Sequence, residues 1–122
     1  MTQNTPRLTK EDLRQFSGTE FWYRHPFNRN ILYTDGVKYV ADTAGAYWLI
    51  DEITFAQAKK KIAAQPFQHW KLKVKPDATA TLPCEDGNDN VVTTKRLSFT
   101  DFPLEEISFF FTDNVILLPS EY

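Results

Sequence analysis

Few side chains in this chain have the types and spacing that chemistry demands. There is one cysteine, Cys84, and there are two histidines, His25 and His69. A thiol–imidazole pair needs the base within hydrogen-bond reach of the sulfur. Cys84 falls at an inward position of an alternating strand, so an inert core thiol is expected there. Zinc needs three or four converging ligands, and these three residues show no such spacing. Asp86, Asn88 and Asn90 have the 1-3-5 spacing of a calcium loop. The sixth and twelfth loop positions are Val91 and Leu97, where glycine and glutamate are required, so a polar hairpin loop is expected. Gly18, Gly36, Gly45 and Gly87 stand alone and build no phosphate cradle. Neither G-x-S-x-G nor H-E-x-x-H occurs. Asp51/Glu52 and Glu105/Glu106 are adjacent, and adjacent side chains diverge on a helix, so they read as solvated faces or N-terminal helix charges. No catalytic residue, metal or cofactor is assigned, and the chain leans away from an enzyme.

Two surfaces suit recognition instead. The segment from Phe21 to Arg29 mixes aromatic and basic residues without a clear period. Trp22 and Tyr23 offer stacking faces, Arg24 and Arg29 offer planar donors, and His25 lies between them. Tyr, Trp and Arg are the residues enriched where binding energy concentrates. Tyr47 and Trp48 lie off a helical stripe and could extend this surface. Lys71, Lys73 and Lys75 share one strand face, which reads first as a solvated, aggregation-resistant row.

The elements that must position these residues follow from pattern. Thr9 with Asp12 forms a box-like helix start, and Gly18 is expected to stop that helix. Pro26 biases His25 to an extended conformation, giving an irregular or edge strand. Ile31–Thr34 and Val37–Val40 flank Asp35-Gly36, a hairpin signal. Ala46, Leu49, Ile50 and Ile53 follow the spacing of a buried helical stripe, in a helix capped by Asp42 or Thr43. Thr54, with Gln57, would cap a second helix bearing Phe55, Ala58 and Ile62 and ending at Pro66. Strands follow: Trp70, Leu72 and Val74 alternate with lysines, then Ala80–Cys84, then Val91–Phe99. A helical turn is expected between Thr100 and Glu106. Ile107–Thr112 and Val115–Leu118 form a last hairpin around Asp113-Asn114, apolar on both faces, which asks for cover by the protein's own helices or by a partner. The motif aromatic-Thr-Asp recurs at Tyr33, Phe99 and Phe111 and reads each time as a strand running into a tight turn.

The fold class is therefore α+β: an antiparallel sheet of about six or seven strands with two or three helices packed on one side. At 122 residues a single domain spanning 1–122 is expected, with residues 1–8 as a flexible tail. The net charge is −2, from 14 basic and 16 acidic residues. That disfavours generic phosphate-backbone binding. No apolar run approaches membrane-spanning length, no signal peptide is read at the N-terminus, and a lone cysteine fits a reducing compartment. A cytoplasmic location is expected.

Several strings are specific enough to place the chain among relatives: Tyr33-Thr34-Asp35-Gly36-Val37-Lys38-Tyr39, Gly45-Ala46-Tyr47-Trp48-Leu49-Ile50-Asp51-Glu52-Ile53, Cys84-Glu85-Asp86-Gly87-Asn88, and Phe111 through Tyr122. The chain resembles a family of small bacterial proteins known only as a domain of unknown function, over nearly everything from Phe16 to the C-terminus. That resemblance implies no activity, cofactor or catalytic residue. The function expected is non-enzymatic recognition of another macromolecule, protein rather than nucleic acid, through Trp22, Tyr23, Arg24, His25 and Arg29, extended by Tyr47 and Trp48. A homodimer is compatible with the twice-apolar hairpin. The alternatives are a small-molecule pocket or enzyme between sheet and helices using His25 and Asp35, and a nucleic-acid-associated protein. The last would need the lysine row and the aromatic–basic segment on one face.

Overall fold

The computed structural model describes residues 7–122; most of the expected tail, residues 1–6, lies outside the described residues. Leu8, at its far end, is buried in the core. In chain order the elements are α1 (Lys10–Arg14), β1 (Trp22–Arg24), β2 (Leu32–Thr34), α2 (Asp35–Ala44), α3 (Tyr47–Ala56), α4 (Lys60–Ala63), β3 (Phe67–Val74), β4 (Ala80–Glu85), β5 (Val91–Leu97), β6 (Glu106–Thr112) and β7 (Val115–Leu117), with a closing 3₁₀ turn at Pro119–Glu121. The strands form one sheet in the order β1-β2-β7-β6-β3-β4-β5. All neighbours are antiparallel except β2 and β7, which run parallel. The class is α+β. The sheet is mixed rather than purely antiparallel, and the described residues hold four α-helices, not two or three.

The extra helix has a specific cause. Asp35-Gly36 does not turn a hairpin. Instead Thr34 ends β2 and caps α2, its hydroxyl accepting from the Val37 N–H. A two-residue hairpin loop would need left-handed backbone at both central residues; Gly36 is right-handed and helical here. Val37, Val40 and Ala41 then bury one face at helical spacing. Gly36 must be glycine for another reason: a Cβ there would stand 2.7 Å from both Glu121 Oε1 and Leu118 Cδ1.

Gly45, at φ 62°, stops α2 in the left-handed C-cap that glycine favours. The helix expected from Asp42 or Thr43 is thus two, and the stripe Ala46, Leu49, Ile50, Ile53 is buried, mostly on α3. Thr54 lies inside α3 and caps nothing. The expected turn between Thr100 and Glu106 is irregular; Thr100 Oγ1 accepts from the Phe102 N–H instead. The last hairpin forms as read, with Asp113 and Asn114 both at positive φ, as its two-residue loop requires.

The inward face of the sheet carries Trp70, Leu72, Leu82, Cys84, Phe109, Phe111 and Ile116, buried with the stripes of α2 and α3. Each large side chain so buried contributes roughly 1.5–3 kcal/mol. Gln68 is buried among them without an unmet bond. Its amide pairs reciprocally with Gln57 (2.8 and 2.9 Å), its nitrogen also donates to the Ile62 carbonyl, and its oxygen accepts from Trp70 Nε1. Unpaired, such a group costs about 1–3 kcal/mol; paired, it ties β3 to the end of α3 and to α4. On the outer face Phe110 is half-buried. Its ring sits edge-on to Phe67, His69 and Tyr122, with centroids 4.8, 5.2 and 5.4 Å away. These aromatic contacts shield that side of the hairpin.

Candidate functional site

β1 is an edge strand of the sheet, as the irregular aromatic–basic segment suggested. Its register with β2 pairs Trp22 with Thr34, Tyr23 with Tyr33 and Arg24 with Leu32. Side chains alternate across a strand. Tyr33 pairs with the buried Ile116 of β7, so Tyr23 turns inward and stacks on Tyr33 at 5.6 Å. Trp22 and Arg24 turn to the outer face, and Trp22 is 55% exposed.

His25 does not join this surface. It is 1% exposed and holds the loop that follows β1. Its Nδ1 accepts from the Phe27 and Asn28 N–H groups, both at 3.1 Å. A nitrogen accepting two such bonds carries no proton, so Nε2 carries it and donates to Asp51 Oδ1 at 2.8 Å. The loop closes with Ile31, whose carbonyl accepts from the His25 N–H. Above the buried imidazole, Phe27 is 80% exposed, with its ring centroid 6.0 Å from that of His25; Phe55 of α3 flanks the imidazole edge-on at 5.7 Å. Arg24 donates to the Arg29 carbonyl and both arginines remain exposed. Phe21, just before β1, is 62% exposed. Between Phe21 and Thr34 there is no carboxylate. The edge thus presents Phe21, Trp22, Arg24, Phe27 and Arg29 on backbone that is pinned.

Asp51 and Glu52 are not merely solvated neighbours. Asp51 bonds His25 beyond β1, and Glu52 meets Lys95 of β5 at 3.0 Å. Adjacent residues of α3 therefore reach towards both edges of the sheet. No local signal pairs Asp51 with His25. Phe27 was not among the residues expected at this surface; the turn formers Pro26, Asn28 and Asn30 around it are the one local signal for a loop there.

Tyr23 and Tyr47 lead to a different feature, an open groove of about 750 Å³ lined by residues including Phe16, Glu20, Tyr23, Asp35, Lys38, Tyr39 and Asp42. Asp35 accepts from the Glu20 and Phe21 N–H groups and from the Tyr23 hydroxyl. The Glu20 N–H bond, more than any other contact, holds its carboxyl below the usual range. Asp42 accepts from Lys38 Nζ at 2.7 Å and from the Tyr47 hydroxyl, and its carboxyl is lowered by those bonds in that order. Burial, and then the Asp42 bond, push the Tyr47 hydroxyl far above its ordinary range. The Lys38 ammonium lies 5.4 Å over the Tyr23 ring. Asp35 lines this groove and His25 is not among its lining residues. Trp48 lines a separate hollow with Leu97, Phe99, Thr100 and Asp101.

Elsewhere, Lys71 and Lys73 lie on the outer face as read, with Lys71 3.6 Å from Glu106; Lys75 lies past the end of β3. His69 Nε2 is 2.8 Å from Ser108 Oγ, but its Nδ1 is 3.6 Å from Glu85, too long for the hydrogen bond that would orient a catalytic base. Cys84 is fully buried, and burial pushes its thiol up to about 12. Asp86 Oδ1 accepts from the Asn88 and Asn90 N–H groups, a polar turn. Among the described residues no three His, Cys, Asp or Glu side chains stand close enough to hold a metal ion, and no helix is long and apolar enough to cross a membrane.

No curated protein and no solved structure matches the chain. A family model does match it, over residues 7–122, nearly its whole length, and the chain belongs to that family, the family of unknown function DUF6876.

Proposed function

We propose that this chain is a non-enzymatic binding protein that recognises a protein partner through the β1 edge and the loop that follows it. The observation carrying the reading is the pinned loop. A phenylalanine that is 80% exposed is held on backbone fixed by a buried histidine. A mobile loop would lose freedom on binding; this one is already ordered, which lowers the cost of association. The contact residues are Phe21, Trp22, Arg24, Phe27 and Arg29. Tyr23 and His25 act from beneath, as positioning residues, and Tyr47 and Trp48 lie outside the contact. Arginines with no carboxylate between Phe21 and Thr34 suit a partner with acidic groups beside an aromatic-accepting pocket. A cytoplasmic setting belongs to the same reading, since the one thiol is unpaired and buried.

The test is capture from native-host lysate with wild-type and Phe27→Ala/Arg29→Ala baits, followed by calorimetry on the purified partner. A protein whose affinity falls roughly 30-fold or more in the variant supports the reading, since hot-spot truncations cost about 2 kcal/mol or more. Identical capture by both baits sinks it. Recovery of nucleic acid, with affinity falling steeply in salt, would transfer the role to the outer face, where Trp22 and Arg24 share a side with Lys71 and Lys73.

A further inference from the structure

We infer that one partner of this edge is a second copy of the chain, added antiparallel along β1 with Tyr23 on the two-fold axis. The inference rests on the reading of this edge as a recognition surface and adds a second partner to it.

Backbone direction comes first. The His25 N–H donates to the Ile31 carbonyl, and the Leu32 N–H donates away from β1, to the Asn114 carbonyl. In an antiparallel pair, residues alternate between facing the partner strand and facing away. Tyr23 and His25 therefore face β2, and the N–H and C=O groups of Trp22 and Arg24 point outward. An added strand must bond to those two residues.

Register comes second. With the axis at Tyr23, Trp22 of one copy lies opposite Arg24 of the other, twice by symmetry, and both are outward-facing bonded pairs. Shifting the axis to Trp22 places tryptophan opposite tryptophan and loses half the ladder. Shifting it to Arg24 sets like charges directly opposite, which is destabilising. Only the central register sets a guanidinium beside an indole on the same face, the arrangement cation–π attraction favours. Pro26 has no N–H and ends the ladder at its next outward position.

Charge points the same way. Exposed Glu20 precedes the strand, and Arg24 and Arg29 end and follow it. Antiparallel addition brings the acidic end of each copy to the basic end of the other. The exposed rings of Phe21 and Trp22 flank the seam. The result is one sheet continuous through both copies, with an isologous contact that closes on itself and covers β1 edges otherwise open to uncontrolled pairing.

Sedimentation equilibrium on the full chain up to high micromolar concentration is the test, with Trp22→Arg, Arg24→Trp and the double swap. Wild type should dimerise. Trp22→Arg should weaken the dimer about tenfold or more, and the swap, which restores both cross-strand pairs, should recover most of that loss. Amide exchange at Trp22 and Arg24 should slow as wild-type concentration rises, a readout independent of any variant. A wild type that stays monomeric, or a swap as weak as the single variants while its thermal midpoint matches wild type, overturns the inference. If wild type is monomeric while partner capture still depends on Phe27 and Arg29, the self-pairing falls and the binding reading stands.

Discussion

His25 Nε2 donates to Asp51 Oδ1 across 2.8 Å, and through that bond the loop after β1 is anchored to the middle of α3. The two ring nitrogens have separate tasks: one holds the helix, the other gathers the N–H groups of Phe27 and Asn28. A ring used on both sides inside a 1% exposed pocket is a positioning device.

Replacing it tests this directly. His25→Ala should destabilise the protein by about 2–4 kcal/mol, because three hydrogen bonds go and two N–H donors lose their partner. Exchange at the Phe27 and Asn28 amides should rise well above the global opening rate. Asp51→Asn keeps an acceptor at the same place and should cost less than half as much. Equal protection of those amides in His25→Ala and wild type would show that the loop is held by something else.

The second relationship lies at the start of α2. The Glu121 carboxylate accepts from Thr34 Oγ1 (2.6 Å), the Gly36 N–H (3.0 Å) and the Leu118 N–H (2.9 Å). A negative group there satisfies helix donors and meets the positive end of the helix dipole. Glu121→Ala should cost about 1–3 kcal/mol. Gly36→Ala should cost a similar amount by expelling the same carboxylate, since its Cβ would lie 2.7 Å from Glu121 Oε1. The Gly36→Ala loss includes the same event beside a clash with Leu118 Cδ1, so the double variant should be less destabilised than the sum of the two. Denaturant midpoints of all three variants check it, and strict additivity would separate the two residues.

That carboxylate also explains which parts of the fold were legible. The Ile107–Leu118 hairpin was readable because its turn and its period-two pattern are local. Asp35-Gly36 looked like the same kind of turn. What makes Thr34 a helix cap is helped by a residue 85 positions beyond Gly36, which no window along the chain contains. The same holds at the β1 edge. The aromatic–basic character of Phe21–Arg29 was visible, and its place on an edge strand was read. The partner of His25 is 26 positions away, so its burial, and the exposure of Phe27 above it, needed the fold. Tyr47 and Trp48, adjacent in sequence, point to different hollows because a helix separates neighbours by about 100°.

Asp35 and Asp42 make stability sensitive to acid, and the sign follows from their partners. Both carboxyls are held below 3.8 in the fold, Asp35 chiefly by the Glu20 N–H and Asp42 chiefly by Lys38. The unfolded chain therefore takes up protons first as pH falls. The contribution of these groups is fully present well above pH 3.8 and is lost as pH drops through their folded values. Urea midpoints measured from about pH 6 to about pH 2 should fall over the lower part of that range. In Asp35→Asn/Asp42→Asn the midpoint should start lower at pH 6 and decline less steeply, because the protons that drove the change have nowhere to bind. The Lys38–Asp42 contribution should also shrink in high salt, as both side chains reach solvent. A decline as steep as that of wild type would move the acid sensitivity to other carboxylates and leave the groove without a part in it.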